Sequence, residues 1–171
     1  MKTHLLRAGM LASAASIAAA SPAMANSSTA QFEVRLQIQA ACSVVAGAAS
    51  DIDLGAQAST ATALSGNSDI TVNCSRNTPY FIGLLPSNAN ANGAGIMTAA
   101  GSADDVPYQL RSAAGTSGTI WGNTASSSGV GNGVAGVGIG ADQTIPVYVT
   151  VDSANFTPAS YSDIVTVAVN F

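Results

Sequence analysis

The chain has 171 residues, of which 47% are hydrophobic and only 8% are charged, a length that suits one ordinary domain with a real core. Residues 26–171 contain three arginines, no lysine and nine acidic residues, so the net charge of this part of the chain is −6. This balance excludes nucleic acid, which requires a basic stripe, and there is no basic amphipathic helix for an anionic membrane.

Residues 1–25 have the features of a secretory signal peptide. A positively charged start precedes a short apolar run at residues 8–20, and Ala23-Met24-Ala25 fits the small-x-small pattern of a cleavage site. The run is too short for a permanent membrane helix, and no later segment is long and apolar enough to be one. We expect cleavage after Ala25 and export of the rest of the chain.

Short segments with alternating apolar side chains, separated by turn residues, predict an all-β domain. The clearest is residues 30–40, where Phe32, Val34, Leu36 and Ile38 lie on one face. Further strands are predicted at residues 68–74, 79–85, 106–111, 143–151 and 161–171. No segment after residue 25 has a helical period, so the pattern favours a sandwich or barrel.

The segments between these strands are predicted loops rich in Gly, Ser, Asn and Ala, notably residues 87–95 and 113–140. Residues 126–140 have low complexity, which is typical of a long surface loop. Residues 131–136 match the G-x-G-x-x-G fingerprint of dinucleotide-binding proteins. That fingerprint needs a preceding strand and a following helix, so we expect no nucleotide here.

Most catalytic residue types are missing after residue 25. There is no histidine for a Ser-His or Cys-His pair or a metal, and no lysine for a Schiff base. Asp51/Asp53 and Asp104/Asp105 remain as paired carboxylates. On a strand, Asp51 and Asp53 would lie about 7 Å apart on one face, as glycosidases require, although turn chemistry is the simpler interpretation. We expect no catalytic residues, metal or cofactor.

Two cysteines, Cys42 and Cys74, remain in the chain. An exported protein with one pair of cysteines usually bridges them, and two thiols without a histidine make a poor zinc site. The sequence therefore predicts a structural disulfide. Closing a loop of about 33 residues would stabilise the fold by roughly 3–4 kcal/mol in the chain-entropy description.

The alternating segment at residues 30–40 has two interpretations. It is either the first strand of its own sheet or a donor strand that pairs with the sheet of a neighbouring molecule. Trp121 is predicted to fill the core, and Tyr161 either forms a tyrosine corner or simply packs.

A series of motifs resembles the spore coat protein U domain family, and within it the major pilins of archaic, Csu-type chaperone–usher pili. The N-terminal motifs are the alternating segment that leads to Cys42, Asp53-Leu54-Gly55 and residues 70–74. The later motifs are Pro79-Tyr80, Tyr108-Gln109-Leu110, Trp121-Gly122, Pro146-Val147-Tyr148 and the ending at residues 161–171. The glycine-rich residues 126–140 depart from the family pattern.

The resemblance implies an incomplete immunoglobulin-like β-sandwich, completed by a donor strand from a neighbouring subunit. Residues 26–40 would be the donor strand and residues 41–171 the pilin domain, whose own first strand would start near Cys42. A periplasmic chaperone would fill the open groove until an outer-membrane usher exchanges it for the next subunit's strand. The donor side chains would be Phe32, Val34, Leu36 and Ile38, and those bordering the groove and contacting the chaperone would be Val165, Val167, Val169 and Phe171.

The resemblance therefore implies a structural subunit of a surface pilus that serves attachment and biofilm formation. Identical subunits would form a homopolymer, together with tip or minor pilins. An alternative is a secreted coat or binding protein of the same family that is self-complemented and forms no fibre. A third class is a carbohydrate-active enzyme or lectin that uses Asp51 and Asp53.

Overall fold

The structure, a computed structural model, describes residues 26–171. The predicted signal peptide, residues 1–25, lies outside the described residues. Strands begin at Cys42 and all belong to a unit that spans residues 38–171. They are β1 Cys42–Val45, β2 Thr62–Cys74, β3 Pro79–Pro86, β4 Ala94–Met97, β5 Val106–Arg111, β6 Val134–Val137, β7 Asp142–Ser153 and β8 Val165–Asn170, with a 3₁₀ turn at Ala48–Ser50.

The strands form two antiparallel sheets with a shared core. The larger sheet has the order β1-β2-β7-β5-β4, and the smaller has the order β6-β3-β8. Strands of both sheets contribute to one buried cluster, which includes Val72 of β2, Ile82 of β3 and Val149 of β7. The prediction of an all-β sandwich is confirmed, and each strand predicted after Cys42 corresponds to an observed strand.

Two strands lie at least partly in predicted loops. β4 begins inside the predicted loop 87–95, and β6 lies within residues 126–140, so the prediction of one long surface loop there is wrong. Both are edge strands, and each places a glycine opposite a tyrosine: Gly95 pairs with Tyr108, and Gly136 pairs with Tyr80. A Cβ atom at either glycine would overlap the tyrosine ring. The glycines therefore serve close packing, as aromatic rings commonly do over edge glycines.

We expect Gly136→Val to destabilise the domain by about 1–3 kcal/mol or more, because the new side chain has no space beside Tyr80. The fluorescence of Trp121, the one tryptophan of the chain, gives the urea midpoint. Gly129→Val is the matched control, since a Cβ at Gly129 meets nothing within 4 Å. Equal midpoints for the two variants would contradict the packing explanation.

Four residues singled out in the sequence make structural contacts. The disulfide joins Cys42 of β1 to Cys74 of β2, whose Cα atoms are 4.1 Å apart. Trp121 is 1% exposed and its indole N–H donates to the Ile82 carbonyl at 2.9 Å, so it belongs to the core as predicted. The Tyr161 hydroxyl donates to the carbonyl of Thr157 at 2.8 Å, which is a tyrosine corner before β8.

Candidate strand-binding groove

β8 is an edge strand with a partner on one side only. It pairs with β3 from Pro86↔Val165 to Phe81↔Asn170 and is the last strand of the smaller sheet. The other edge of β8 therefore presents backbone N–H and C=O groups without a strand partner among the described residues. Such an edge is a template for another strand.

A groove of about 710 Å³ opens beside this edge. Its lining includes the buried core side chains Ile70, Leu84, Leu110, Val147 and Val149. β8 contributes Val165 and Val167, and the chain between β1 and β2 contributes Ile52 and Leu54. The groove is therefore mainly apolar and gives access to the core of the sandwich.

Residues 51–54 form part of the lining because they alternate like a strand. Ile52 and Leu54 are half-buried and pack over Gly66 of β2, where a Cβ would lie 2.8 Å from Leu54 Cδ2. Asp51 and Asp53 are exposed between them. One Asp53 carboxylate oxygen accepts a 2.7 Å hydrogen bond from the Gly55 amide. This hydrogen bond is the turn contact that the simpler interpretation of the two aspartates predicted. Residues 51–53 are not in a β-strand, so the strand geometry of a glycosidase pair is absent there.

The second carboxylate pair also has a structural contact. The side chain and backbone amide of Thr157 donate hydrogen bonds to Asp104, which lowers the pKa of that carboxyl.

Among residues 26–171, no group of three or more His, Cys, Asp or Glu side chains is placed to hold a metal ion. In the same residues, no helix has the length and apolar character needed to cross a membrane.

The four predicted groove residues separate into two pairs. Val165 and Val167 line the groove. Val169 packs against the core, as the other two valines do, but is not among the lining residues, and neither is Phe171, which is 50% exposed. The lining residues that the sequence interpretation missed include Ile52, Met97, Tyr108 and Asp163. Of these, Ile52 carries some sequence signal, its alternation with Leu54 beside the Asp53-Leu54-Gly55 motif, but two apolar residues are too few to predict a groove wall.

The predicted donor segment belongs to no helix or strand in the described structure. Its alternating side chains are almost fully exposed: Phe32 by 88%, Val34 by 83%, Leu36 by 85% and Ile38 by 82%. A row of exposed large apolar side chains is typical of an interaction surface. Since the domain's strands begin at Cys42, the interpretation of residues 30–40 as the first strand of their own sheet is wrong.

One carboxylate of the groove lining is held by a hydrogen-bond network. The Tyr108 hydroxyl donates to Asp163 Oδ2 at 2.6 Å. Burial, together with this hydrogen bond and the carboxylate charge, raises the pKa of Tyr108 well above its usual value. Burial alone would raise the pKa of Asp163, but hydrogen bonds from Ser87, Tyr108 and the Ile164 amide outweigh it and lower that pKa. Asp163 is therefore a fixed negative charge at neutral pH.

This network should make the stability of the folded domain depend on pH in the acidic range. Because the pKa of Asp163 is lower in the folded chain, its contribution is fully present above about pH 4, the unfolded value, and is lost as the pH falls through the folded pKa. We expect Asp163→Asn to be less stable than the wild type at pH 7, with a difference that shrinks towards pH 2. Urea midpoints across this range test it, and a pH-independent difference would contradict it. Asp105→Asn is a control for carboxylate removal.

The comparisons with known proteins agree with this architecture. The family model of the Spore Coat Protein U domain matches residues 28–168. Among solved structures, a chain in the CsuC–CsuE chaperone–tip adhesion subunit pre-assembly complex from archaic chaperone–usher Csu pili of Acinetobacter baumannii is similar, with a TM-score of 0.52 and 21% identity. The similarity covers 78% of this chain and 40% of that chain, so the protein spans about two fifths of it. No curated protein sequence matches the chain.

Proposed function

Since the chain belongs to the Spore Coat Protein U domain family, we propose that it is a structural subunit of a surface pilus that polymerises head to tail by donor-strand complementation. The observation that carries this proposal is a complementary pair within one chain. An apolar groove lies beside the unpaired edge of β8, and a separate segment exposes an alternating apolar face.

The two parts of this pair agree in length and pattern. Phe32 to Ile38 is seven residues long, as is β8 together with Phe171, which follows it, and each has an apolar residue at every second position. An extended strand of that length spans about 20 Å. The donor backbone would therefore pair along the whole edge of β8, while its apolar face turns towards the core.

Burial of the apolar face drives the proposed association. Each large apolar side chain transferred from water into a core contributes about 1.5–3 kcal/mol. Four such side chains give a gross term of about 6–12 kcal/mol before the costs of association and ordering. Backbone hydrogen bonds along β8 add register and direction. Donor and groove are different surfaces, so the contact does not close on itself and a filament grows.

Before assembly the same edge and groove would promote aggregation. We propose that a periplasmic chaperone covers them, with Val165, Val167, Val169 and Phe171 as contacts, and that an outer-membrane usher exchanges the chaperone for the next donor strand. The similar solved chain comes from a chaperone–tip subunit pre-assembly complex, which supports a chaperone-bound state before assembly. The resulting fibre, with tip or minor pilins, would serve attachment and biofilm formation at the cell surface.

The test is a gel of material sheared from producing cells, run in SDS with and without boiling. Strands buried along their length should resist cold SDS, so we expect a ladder that collapses on boiling to one band near the mature mass. A single monomer band in both lanes would overturn the fibre. It would favour the alternative, a secreted, self-complemented coat or binding protein of the same family.

A further inference from the structure

The register of the donor strand in the proposed fibre is not fixed by the alternation of its apolar residues. A slip by one residue turns the apolar face outwards, but a slip by two residues keeps the same face inwards. Phe32, Val34, Leu36 and Ile38 would then occupy the same groove one pocket further along. Apolar burial alone therefore separates these registers only by one side chain and by differences in shape.

Charge can separate the two registers. Glu33 and Arg35 are the only charged residues between positions 26 and 41, and they lie on the opposite face from the apolar row. They contact each other at 2.6 Å while both remain largely exposed. An exposed pair of this kind contributes little, so Arg35 can exchange Glu33 for another carboxylate at small cost.

The groove offers carboxylates of matching orientation. Asp51 and Asp53 lie on its lining, exposed, with Ile52 and Leu54 turned inwards. A strand that enters with its apolar face inwards therefore presents Arg35 on the same outer side as these carboxylates. No basic side chain is present among the described residues that line the groove. Of the other arginines, Arg111 already donates to Thr150 and to the carbonyls of Thr116 and Gly118.

We infer that Arg35 of one subunit pairs with Asp51 and Asp53 of the subunit that accepts its strand, and that this pairing sets the register. The occupant is a second copy of this chain, so the inference rests on the proposed function. In the correct register Arg35 faces the two carboxylates. A slip by two residues in one direction brings Glu33 to that position, where like charges repel, and a slip in the other direction brings the neutral Gln37, so that the ion pair is lost. Arg35 is thus a specificity-determining residue, whereas the apolar row supplies affinity.

The experiment compares SDS-resistant ladders from cells that express the full chain. We expect Arg35→Gln to lower the polymer fraction about 2- to 5-fold, the range that one exposed ion pair supports, and Arg35→Glu to lower it on the order of 10-fold. Arg76→Glu is the matched control, because it makes the same charge change at an exposed position outside the groove lining. Both losses should become smaller as the ionic strength rises, since salt screens exposed charges.

A charge swap identifies the partner. In the Arg35→Glu background, Asp51→Arg with Asp53→Asn restores opposite charges, and the side-chain amide oxygen that Asp53→Asn introduces can still accept the Gly55 amide hydrogen bond. Recovery of the ladder by the swap, but not by Asp53→Asn alone, supports the inference. A ladder from Arg35→Glu that equals the Arg76→Glu ladder, or a swap without recovery, overturns it. Failure of the proposed function is distinct, because the wild type itself would then form no ladder.

Discussion

Leu36→Asp should abolish the SDS-resistant polymer while the subunit still folds. Leu36 is 85% exposed in the described chain, so a carboxylate there costs the subunit itself little. In the proposed fibre the same carboxylate would enter an apolar groove whose lining already carries Asp51, Asp53 and Asp163. The lost apolar burial and the buried, unpaired charge together weaken each junction by about 4 kcal/mol or more, which is roughly a 1,000-fold effect. The sheared-cell gel measures it.

Gln37→Asp is the matched control for this variant. It introduces the same charge one position along the strand, on the face that points away from the groove. We expect Gln37→Asp to retain most of the ladder, with at most the few-fold loss that exposed charges near Asp51 and Asp53 produce, and both variants to give soluble subunit in the periplasm when the chaperone is present. Wild-type fibres from Leu36→Asp would end the donor-strand proposal. Loss of the ladder in both variants would show that a negative charge on either face of the donor strand blocks assembly, so that the orientation of the side chain does not matter.

The strands that sequence patterning predicted are those whose side chains alternate over a long stretch. In β2 and β7 the buried positions Ile70, Val72, Val147 and Val149 follow the period of two, and no competing pattern obscures it. β6 carries no such signal, since it is four residues long and one of them is Gly136. The reason for that glycine is the Tyr80 ring, which lies far away in sequence, so a local pattern could not reveal it.

The groove was predictable only on one side. Val165 and Val167 belong to a long alternating ending, so both the strand and its inward face could be inferred from sequence. Ile52 and Leu54 are only two apolar residues, and their function depends on packing over Gly66 rather than on strand pairing. For the flanking aspartates turn chemistry was the simpler interpretation, with a catalytic carboxylate pair left open as the alternative. The structure places Asp53 in a turn, as the simpler interpretation has it, and residues 51–54 along the groove, which was not predicted.

The disulfide gives the second large expected effect. Cys42→Ser combined with Cys74→Ser should lower the yield of subunit, because loss of the cross-link between β1 and β2 costs roughly 3–4 kcal/mol in the chain-entropy description. That is a large share of the 5–15 kcal/mol that stabilises a typical domain. The yield of subunit in the periplasm, measured against the wild type, tests this, and a wild-type yield would contradict it. Ser127→Ala, at an exposed position, is the control for variation in expression and recovery between preparations.

The same variant should not change the geometry of assembly, for a reason that lies in the position of the bond. β1 is a four-residue edge strand whose only sheet partner among the described strands is β2, and the disulfide fastens it at the pair Cys42↔Cys74. Between β1 and β2 the chain carries Ile52 and Leu54 to the groove. Without the cross-link β1 can open more easily, which exposes the core of an unassembled subunit to proteolysis and aggregation. A donor strand that fills the groove packs against the same core, so subunits that reach the fibre should give a ladder with wild-type spacing and collapse only on boiling.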